Sequence, residues 1–235
     1  MDIKINNLSV SFASKEIFKN FNLTIEENKI TCILGNSGIG KTTLLNAISG
    51  SVPYSGSIEK PNDDISFIYQ NDRLIPHISI YKNLELVLKN KVKDKKERSK
   101  QIDNMLHLVE LSGEAKAFPH QLSGGMQSRV SLARGFIYPS NILLMDECFK
   151  GLDSALKLRL IKVFINLYNA SLRTTLFVTH SIDEALLVAD RIIILRNSPC
   201  KIINDISIDT PKQNRSLLDG SMDSVRTTLL TSILN

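Results

Sequence analysis

The sequence predicts an α/β domain with a mostly parallel sheet, and two observations support this fold class. Short, largely apolar strand-like runs alternate with helix-like runs over 30–48 and again over 142–196, which is typical of parallel strands covered by helices. A glycine-rich loop at 35–42 joins the first of these strands to its helix. This loop is also the first indication of what the domain binds.

The glycine-rich loop fits the phosphate-binding pattern G-x-x-x-x-G-K-[ST] and reads Gly35-Asn36-Ser37-Gly38-Ile39-Gly40-Lys41-Thr42. Its glycines let the backbone curl so that successive N–H groups face an anion, and the following helix adds its positive end. Lys41 can reach the terminal phosphates, and the Thr42 hydroxyl can ligate Mg²⁺. The loop therefore predicts a nucleoside triphosphate and Mg²⁺ as ligands.

The elements on either side of this loop follow from apolar periodicity. Two N-terminal antiparallel strands are predicted over 3–10 and 18–25, joined by a polar turn at 13–15. Two short strands follow the helix of the loop, at 54–58 and 65–69.

From 71 to 140 the apolar residues recur at helical spacing, which predicts a helical subdomain inserted into the α/β core. The alternation then resumes and predicts, in order, strand 142–145, helix 155–168, strand 174–178, helix 182–189, strand 191–196, an edge strand at 201–208 and a terminal helix at 217–234. We therefore expect residues 1–235 to form a single P-loop domain that carries the helical insert.

The composition argues against several classes of protein. The longest apolar runs, such as Ile192–Leu195, have the length of a strand and are far too short to span a membrane. The first residues lack the basic start and apolar stretch of a signal peptide, and the three cysteines show no C-x-x-C spacing. We expect a cytoplasmic protein without disulfides or zinc.

The net charge of +5 comes from one stretch, because Lys89–Lys100 holds seven basic residues against Asp94 and Glu97. The stretch is either a patch that meets a membrane surface or an RNA, or a solvated helix with its preceding loop. The solvated helix is favoured because charge runs are usually exposed faces. No nucleic-acid partner is therefore expected.

Polar side chains follow several predicted strands, at the edge where the carboxyl ends of parallel strands meet. Asp146 and Glu147 end the strand 142–145; Asp146 can hold Mg²⁺, and Glu147 can act as general base towards an attacking water. Gln70 and His180 follow two other strands and can contact the γ-phosphate or the water. Taken singly, each has a structural alternative: a solvated acidic pair, an exposed glutamine or a structural histidine.

A second glycine-rich segment, Leu122-Ser123-Gly124-Gly125-Met126, precedes a predicted helix. Ser123 can cap that helix, while Gly124 and Gly125 leave its first N–H groups open to an anion. Considered alone, the segment is more simply an ordinary capped helix with a flexible start.

Together these segments resemble the ATP-binding cassette (ABC) family, in the order of that family and over most of the chain. The phosphate loop is similar to the family's Walker A motif, Gln70 to its Q-loop and Leu122–Gly125 to its signature. Asp146-Glu147 is similar to its Walker B motif, Gly151-Leu152-Asp153 to its D-loop and His180 to its H-loop. The resemblance implies an ATPase that pairs head to tail, with each ATP between the phosphate loop of one subunit and the signature of the other.

The same resemblance implies roles within one subunit. Phe12 would stack on adenine near the end of the first strand, and Thr43 would join the phosphate loop in binding ATP. The Mg²⁺ shell would include Thr42, Gln70 and Asp146.

Across the dimer, Ser123, Gly124 and Gly125 would act in trans on the γ-phosphate, and Asp153 would couple the two sites. The catalytic set implied by the resemblance is Glu147, His180 and Gln70.

A finer resemblance is to the ATPases of nitrate/sulfonate/taurine-type importers, carried by residues 71–76, 80–84, 189–195 and Met126; thiamine-precursor importers share this type. It implies a homodimer on the inner face of the cell membrane that drives solute uptake through permease subunits, with a solute-binding protein acting indirectly. Two other classes remain open: a soluble ABC ATPase acting on nucleic acid or the ribosome, and an export ATPase.

The chain departs from that branch at four positions. Cys148 replaces a usual proline, Lys150 a small residue, His77 a common tryptophan and Ser128 a frequent glutamine. Lys150 is expected to perturb the packing of 151–153 between subunits, but none of the four departures removes a phosphate, metal or base position.

Overall fold

The computed structural model describes residues 1–13, 15–62, 64–218 and 220–234, so Ser14 of the predicted turn lies outside the described residues. Within those ranges the strands are β1 Ile3–Phe12, β2 Lys15–Ile25, β3 Ile30–Leu34, β4 Ser55–Glu59, β5 Ile65–Ile68, β6 Ile142–Asp146, β7 Thr174–Thr179, β8 Arg191–Arg196 and β9 Lys201–Ser207. The α-helices are α1 Lys41–Ile48, α2 Ile80–Leu88, α3 Lys95–Leu108, α4 Gly124–Ile137, α5 Ser154–Ala170, α6 Ile182–Val188 and α7 Asp223–Leu234.

The strands form two sheets, which contain the predicted antiparallel N-terminal strands and the predicted mostly parallel sheet. The N-terminal sheet is antiparallel and has the order β2-β1-β4. The main sheet has the order β5-β6-β7-β3-β8-β9, and its neighbours are parallel except for the β8–β9 pair. The predicted edge strand is therefore confirmed as β9, which pairs antiparallel with β8.

The central strands are buried on both faces because apolar layers cover them on either side. Every residue of β3, β6 and β7 is buried. In β3, Cys32 and Leu34 point into the core shared with α2–α6, whereas Ile33 points into the core shared with α1 and the N-terminal sheet. This two-residue alternation places one apolar core on each face of the main sheet.

Helices α2, α3 and α4 occupy the segment between β5 and β6, where the sequence predicts helices. The loop that leads into α2 is held by the buried side chain of Asn83. Its Oδ1 accepts from the Ile75 N–H at 2.8 Å, and its Nδ2 donates to the carbonyls of Ile75, Ile78 and Ser79. The division of the chain into one domain with an inserted helical subdomain stays a prediction.

The terminal helix is shorter than the sequence predicts, because α7 begins at Asp223 and not at 217. The Ser216 hydroxyl accepts from the Leu218 N–H at 3.0 Å, which turns the chain away from a helix. Gly220, with a φ of 74°, then lies in the left-handed region. Within the described ranges, none of the helices combines the length and apolarity needed to cross a lipid bilayer.

Candidate active site

Three neighbouring strands bring most of the predicted site residues to one edge of the sheet. The register pairs Leu34 at the end of β3 with Thr179 at the end of β7, and Asp146 at the end of β6 with Val178. The Glu147 N–H donates to the Val178 carbonyl at 2.9 Å. The phosphate loop, the acidic pair and the histidine after β7 therefore converge where parallel α/β sheets bind ligands.

The phosphate loop is built around glycine geometry and a buried lysine. Gly40 caps α1 with a φ of 116°, and an added Cβ would lie 2.5 Å from Cγ2 of Ile17, so only glycine fits. The buried Lys41 Nζ donates to the carbonyls of Gly35 at 2.7 Å and Asn36 at 3.0 Å. Burial lowers the pKa of the Lys41 ammonium. The loop thus curls around a positive charge that faces the carboxyl edge.

The rest of the loop is accessible. Asn36, Ser37 and Gly38 are exposed at its tip, and Ile39 and Thr43 are half-buried on either side of the helix start. Because α1 begins at Lys41, the N–H groups of its first turn have no partner within the helix. These groups, together with Lys41, suit the oxygens of a phosphate chain.

Thr42 and Asp146 form an oxygen-rich pair beside the loop. The Thr42 hydroxyl lies 2.9 and 3.1 Å from the two carboxylate oxygens of Asp146. Burial raises the pKa of Asp146, and the Thr42 hydrogen bond opposes that rise. A hydroxyl and a carboxylate are ligands that suit Mg²⁺. No cluster of three or more His, Cys, Asp or Glu side chains suited to a metal occurs in the described part of the chain, so a cation here needs nucleotide oxygens and water to complete its shell.

Gln70 lies apart from this pair. Among the described residues, no hydrogen bond joins Gln70 to Thr42 or Asp146. It lines a neighbouring cleft of about 520 Å³ together with Cys148 and Lys150. The structure therefore does not bring this residue, which the resemblance implies as a Mg²⁺ ligand, into contact with the other two.

The Glu147 carboxylate is surrounded by nitrogen groups. Its Oε2 accepts from Lys150 Nζ at 2.6 Å, while its Oε1 lies 3.7 Å from Lys41 Nζ and 3.4 Å from His180 Nδ1. Burial raises the pKa of Glu147, but the hydrogen bond from Lys150 and the electrostatic effect of the surrounding nitrogen groups outweigh burial and leave that pKa below its ordinary value. The carboxylate is therefore ionised at neutral pH, as a general base must be.

The backbone fixes the direction of this carboxylate. Glu147 has a φ of 43°, in the left-handed region that costs a non-glycine residue about 1–2 kcal/mol. The Lys150 N–H closes the turn by donating to the Glu147 carbonyl at 3.0 Å. Phe149, between them, is buried edge-on against Phe164 and Phe177, with ring centroids 6.3 and 5.7 Å apart. The core thus holds an otherwise unfavourable turn in place.

Sequence reasoning missed the residues that support this site from behind. Glu184 on α6 is buried, accepts from the Thr179 hydroxyl at 2.6 Å and pairs with Lys157 of α5 at 2.9 Å. It therefore ties the residue before His180 to α5. The sequence signal that could have indicated this role is a charged residue within a short, mostly apolar helix. Lys150 was predicted only as a departure, although its spacing of three residues from Glu147 allows the contact.

The second glycine-rich segment lies around a different cavity. Ser123 caps α4 by accepting from the Met126 N–H at 3.3 Å, and Asp153 caps α5. Ser123, Gly124, Gly125 and Asp153 all line a cavity of about 720 Å³. Within the described ranges, no hydrogen bond or ion pair joins these four residues to the phosphate loop of the same chain.

Phe12 lies at the surface. It is the last residue of β1, and 48% of its area is exposed, although most large apolar side chains of the N-terminal strands are buried. The Phe12 side chain is thus accessible to a ligand at the surface.

The segment after Gln70 is anchored on the helix that follows the second glycine-rich segment. Arg134 of α4 donates to the carbonyls of Asp72 and Arg73, both at 2.7 Å. Ser128, one of the departures, donates to the Asp72 carboxylate at 3.3 Å. Burial raises the pKa of the adjacent Cys148 thiol, so this departure stays a neutral packing group.

Comparisons with known proteins agree with these features. A family model described as "ABC transporter" matches residues 18–150. The aliphatic sulfonates import ATP-binding protein of Bacillus cereus is 34% identical, over 98% of this chain and 95% of that protein. The taurine import ATP-binding protein of Rhizobium johnstonii is 33% identical, over 88% of this chain and 84% of that protein.

A solved structure of a dimeric ATP-binding cassette, in a post-hydrolysis state bound to ADP and Pi, has a TM-score of 0.76 and 29% identity. The match covers 89% of this chain and 100% of that one. The fold, the converging strand ends and these relatives have one explanation: the chain belongs to the ABC transporter family.

Proposed function

We propose that this chain is the ATP-hydrolysing subunit of an ABC importer and that it works as a homodimer. The observation that carries the proposal is the Glu147 carboxylate, which faces Lys41 and His180 beside the Thr42–Asp146 pair. An ionised carboxylate next to a phosphate loop is suited to activate water against a bound triphosphate.

The reaction is ATP + H₂O to ADP and phosphate. The water oxygen forms a bond to the γ-phosphorus, and the bond from that phosphorus to the bridging oxygen breaks, leaving its electron pair on ADP. Glu147 takes the water proton, Lys41 neutralises charge on the phosphates, and His180 holds the γ-phosphate or the water by hydrogen bonding. When bound, Mg²⁺ supplies charge stabilisation for the phosphate oxygens, and Thr42 and Asp146 would hold it, with Gln70 as a further ligand.

The second half of the site is proposed to come from the partner subunit. Ser123, Gly124 and Gly125 line a cavity without polar contact to their own phosphate loop, so their N–H groups remain for the γ-phosphate of the other subunit. Asp153 lines the same cavity and would couple the two sites. The solved relative is itself a dimer bound to ADP and Pi. Phe12 and Thr43 would complete the contacts to ATP within each subunit.

The importer assignment rests on the relatives named for sulfonate and taurine import. Residues 1–235 would form one nucleotide-binding domain, with 71–140 as its inserted helical subdomain. The cleft lined by Gln70 would face membrane permease subunits, which places the protein on the inner face of the cell membrane. A solute-binding protein would act indirectly, through the permease.

The structure weakens the alternative of a nucleic-acid partner. Arg98, in the basic stretch, is buried and donates to the carbonyls of Val92 and Lys93 at 2.7 and 2.9 Å. Lys91 pairs with Asp64 at 2.6 Å. Two of the charges that favoured an RNA-binding patch therefore have roles within the fold.

Phosphate release by the purified chain, followed by transport in proteoliposomes, tests this function. We expect Mg²⁺-dependent ATP hydrolysis and, with its permease subunits and a solute-binding protein, ATP-dependent movement of solute into the compartment that contains the ATPase. No hydrolysis would contradict the enzyme. Movement of solute out of the compartment that contains the ATPase would support an exporter, and ATPase activity stimulated by RNA in a salt-sensitive way would support the nucleic-acid class.

A further inference from the structure

The two oxygens of the Glu147 carboxylate have different neighbours. Lys150 Nζ lies 2.6 Å from Oε2. On the other side, Lys41 Nζ and His180 Nδ1 lie 3.7 and 3.4 Å from Oε1. One oxygen is thus held by Lys150, and the other faces the phosphate loop and the histidine.

The lysine is placed for this contact by the local fold. Glu147 and Lys150 close one turn through a backbone hydrogen bond of 3.0 Å, and the buried Phe149 fixes that turn to the core. The Glu147 side chain is 10% exposed, whereas that of Lys150 is 41% exposed. Lys150 therefore reaches inward from the cleft wall that it shares with Gln70.

We propose that Lys150 is a positioning residue for ATP hydrolysis, which holds Oε2 of Glu147 so that Oε1 is presented to the attacking water. The inference rests on the proposed function and deepens it. In the balanced step, the water oxygen bonds to the γ-phosphorus, the bond to the bridging oxygen breaks, ADP leaves with that electron pair, and the water proton goes to Oε1. Lys150 exchanges no proton and touches no substrate.

The size of the effect follows from the exposure of the pair. A lysine that is partly exposed forms an ion pair of modest strength, so removing it loosens the carboxylate without unfolding the turn. We expect about a fivefold loss of kcat, because partly exposed pairs contribute up to about 1 kcal/mol and tenfold corresponds to about 1.4 kcal/mol. The KM for ATP should stay nearly unchanged, since no hydrogen bond or ion pair joins Lys150 to the phosphate loop among the described residues.

The test measures phosphate release against ATP concentration for the full-length wild type, K150M and K150R. K150M removes the charge at similar length, and K150R keeps it. K162M is the matched control, because Lys162 is an exposed lysine on α5, away from the carboxylate. Thermal unfolding of each variant shows whether the fold is retained. We expect kcat to fall in K150M alone, with K150R and K162M close to wild type.

A second comparison shows whether Lys150 acts through Glu147. In the E147Q background, K150M should cause no further loss in the residual rate, because the group that Lys150 positions is already absent. The same fold loss in both backgrounds would overturn the inference, as would a wild-type kcat in K150M or equal losses in K150M and K150R. If wild type hydrolyses ATP and E147Q does not, such results contradict only the role of Lys150, and the proposed function stands. A wild type without ATPase activity overturns the proposed function together with the inference.

Discussion

Replacement of Thr42 by valine tests the proposed Mg²⁺ site, because valine keeps the shape of threonine and removes its hydroxyl. That hydroxyl is a single donor shared between the two Asp146 oxygens, at 2.9 and 3.1 Å. Thr42→Ser is the matched control, since serine retains the donor. Both variants keep the start of α1 and the position of Lys41.

The cost in stability should be small. A hydrogen bond to a charged group contributes about 1.5–3 kcal/mol, but water can replace part of it because Thr42 is exposed. We therefore expect urea unfolding of the nucleotide-free Thr42→Val protein to give a free energy of unfolding lower by about 1 kcal/mol. Thr42→Ser should unfold like wild type.

The cost in function should be much larger. The concentration of Mg²⁺ that gives half-maximal ATP hydrolysis should rise roughly tenfold to hundredfold in Thr42→Val. Removing a side chain that supports a metal site generally lowers the affinity for the metal by about that factor. Thr42→Ser should stay within about twofold of wild type, because its hydroxyl can still reach Asp146 and the ion. An unchanged Mg²⁺ midpoint in the valine variant would refute the placement of the ion between Thr42 and Asp146.

Three further predictions concern other parts of the site. Lys41→Ala should weaken ATP binding about tenfold to hundredfold in a calorimetric titration, because a hydrogen bond to a charged group contributes about 1.5–3 kcal/mol; an unchanged Kd would contradict the phosphate loop. Phe12→Ala should weaken ATP binding by about 1–3 kcal/mol through lost stacking, whereas Phe12→Tyr should not. Equal affinities of the alanine and tyrosine variants would remove Phe12 from the adenine site. Phe149→Ala should lower the free energy of unfolding by roughly 3–5 kcal/mol in urea, since it empties a buried aromatic cluster; a loss below about 1 kcal/mol would mean that this cluster does not hold the Glu147 turn.

The strands were the most predictable part of the fold. The runs Ile142–Met145 in β6 and Ile192–Leu195 in β8 are wholly apolar and buried, as expected for strands that are covered on both faces. Helix ends were less predictable, because they depend on local hydrogen bonds. Gly40 starts α1 at Lys41, earlier than the apolar run from Thr43 indicates, and Ser216 delays α7 to Asp223.

The convergence of the site residues was also predictable from the order of the elements. The carboxyl ends of parallel strands meet at one edge, so Asp146, Glu147 and His180 had to lie near the phosphate loop once the strands were assigned. The contact between Lys150 and Glu147 was not predictable in the same way. It depends on a left-handed turn at Glu147 and on the rotamer of a long side chain, neither of which leaves a periodic signal.

The roles of Ser123, Gly124, Gly125 and Asp153 rest on a partner subunit and stay predictions. The fold places these residues around one cavity, but within the described part of a single chain no hydrogen bond or ion pair joins them to the phosphate loop. Gln70 stays a prediction for a related reason. Among the described residues no hydrogen bond joins Gln70 to Thr42 or Asp146, and the segment after Gln70 is held on α4 by Arg134.

Nucleotide retention by Glu147→Gln tests the central claim most directly, namely that each chain is half of a hydrolytic site whose base is Glu147. The substitution keeps the size of the side chain and removes its negative charge. Sedimentation velocity with Mg²⁺ and ATP, combined with analysis of the bound nucleotide, reports assembly and chemistry in the same sample. The expected result is a dimer that retains uncleaved ATP. A variant that hydrolyses ATP at the wild-type rate, or that stays monomeric with ATP bound, would contradict the claim.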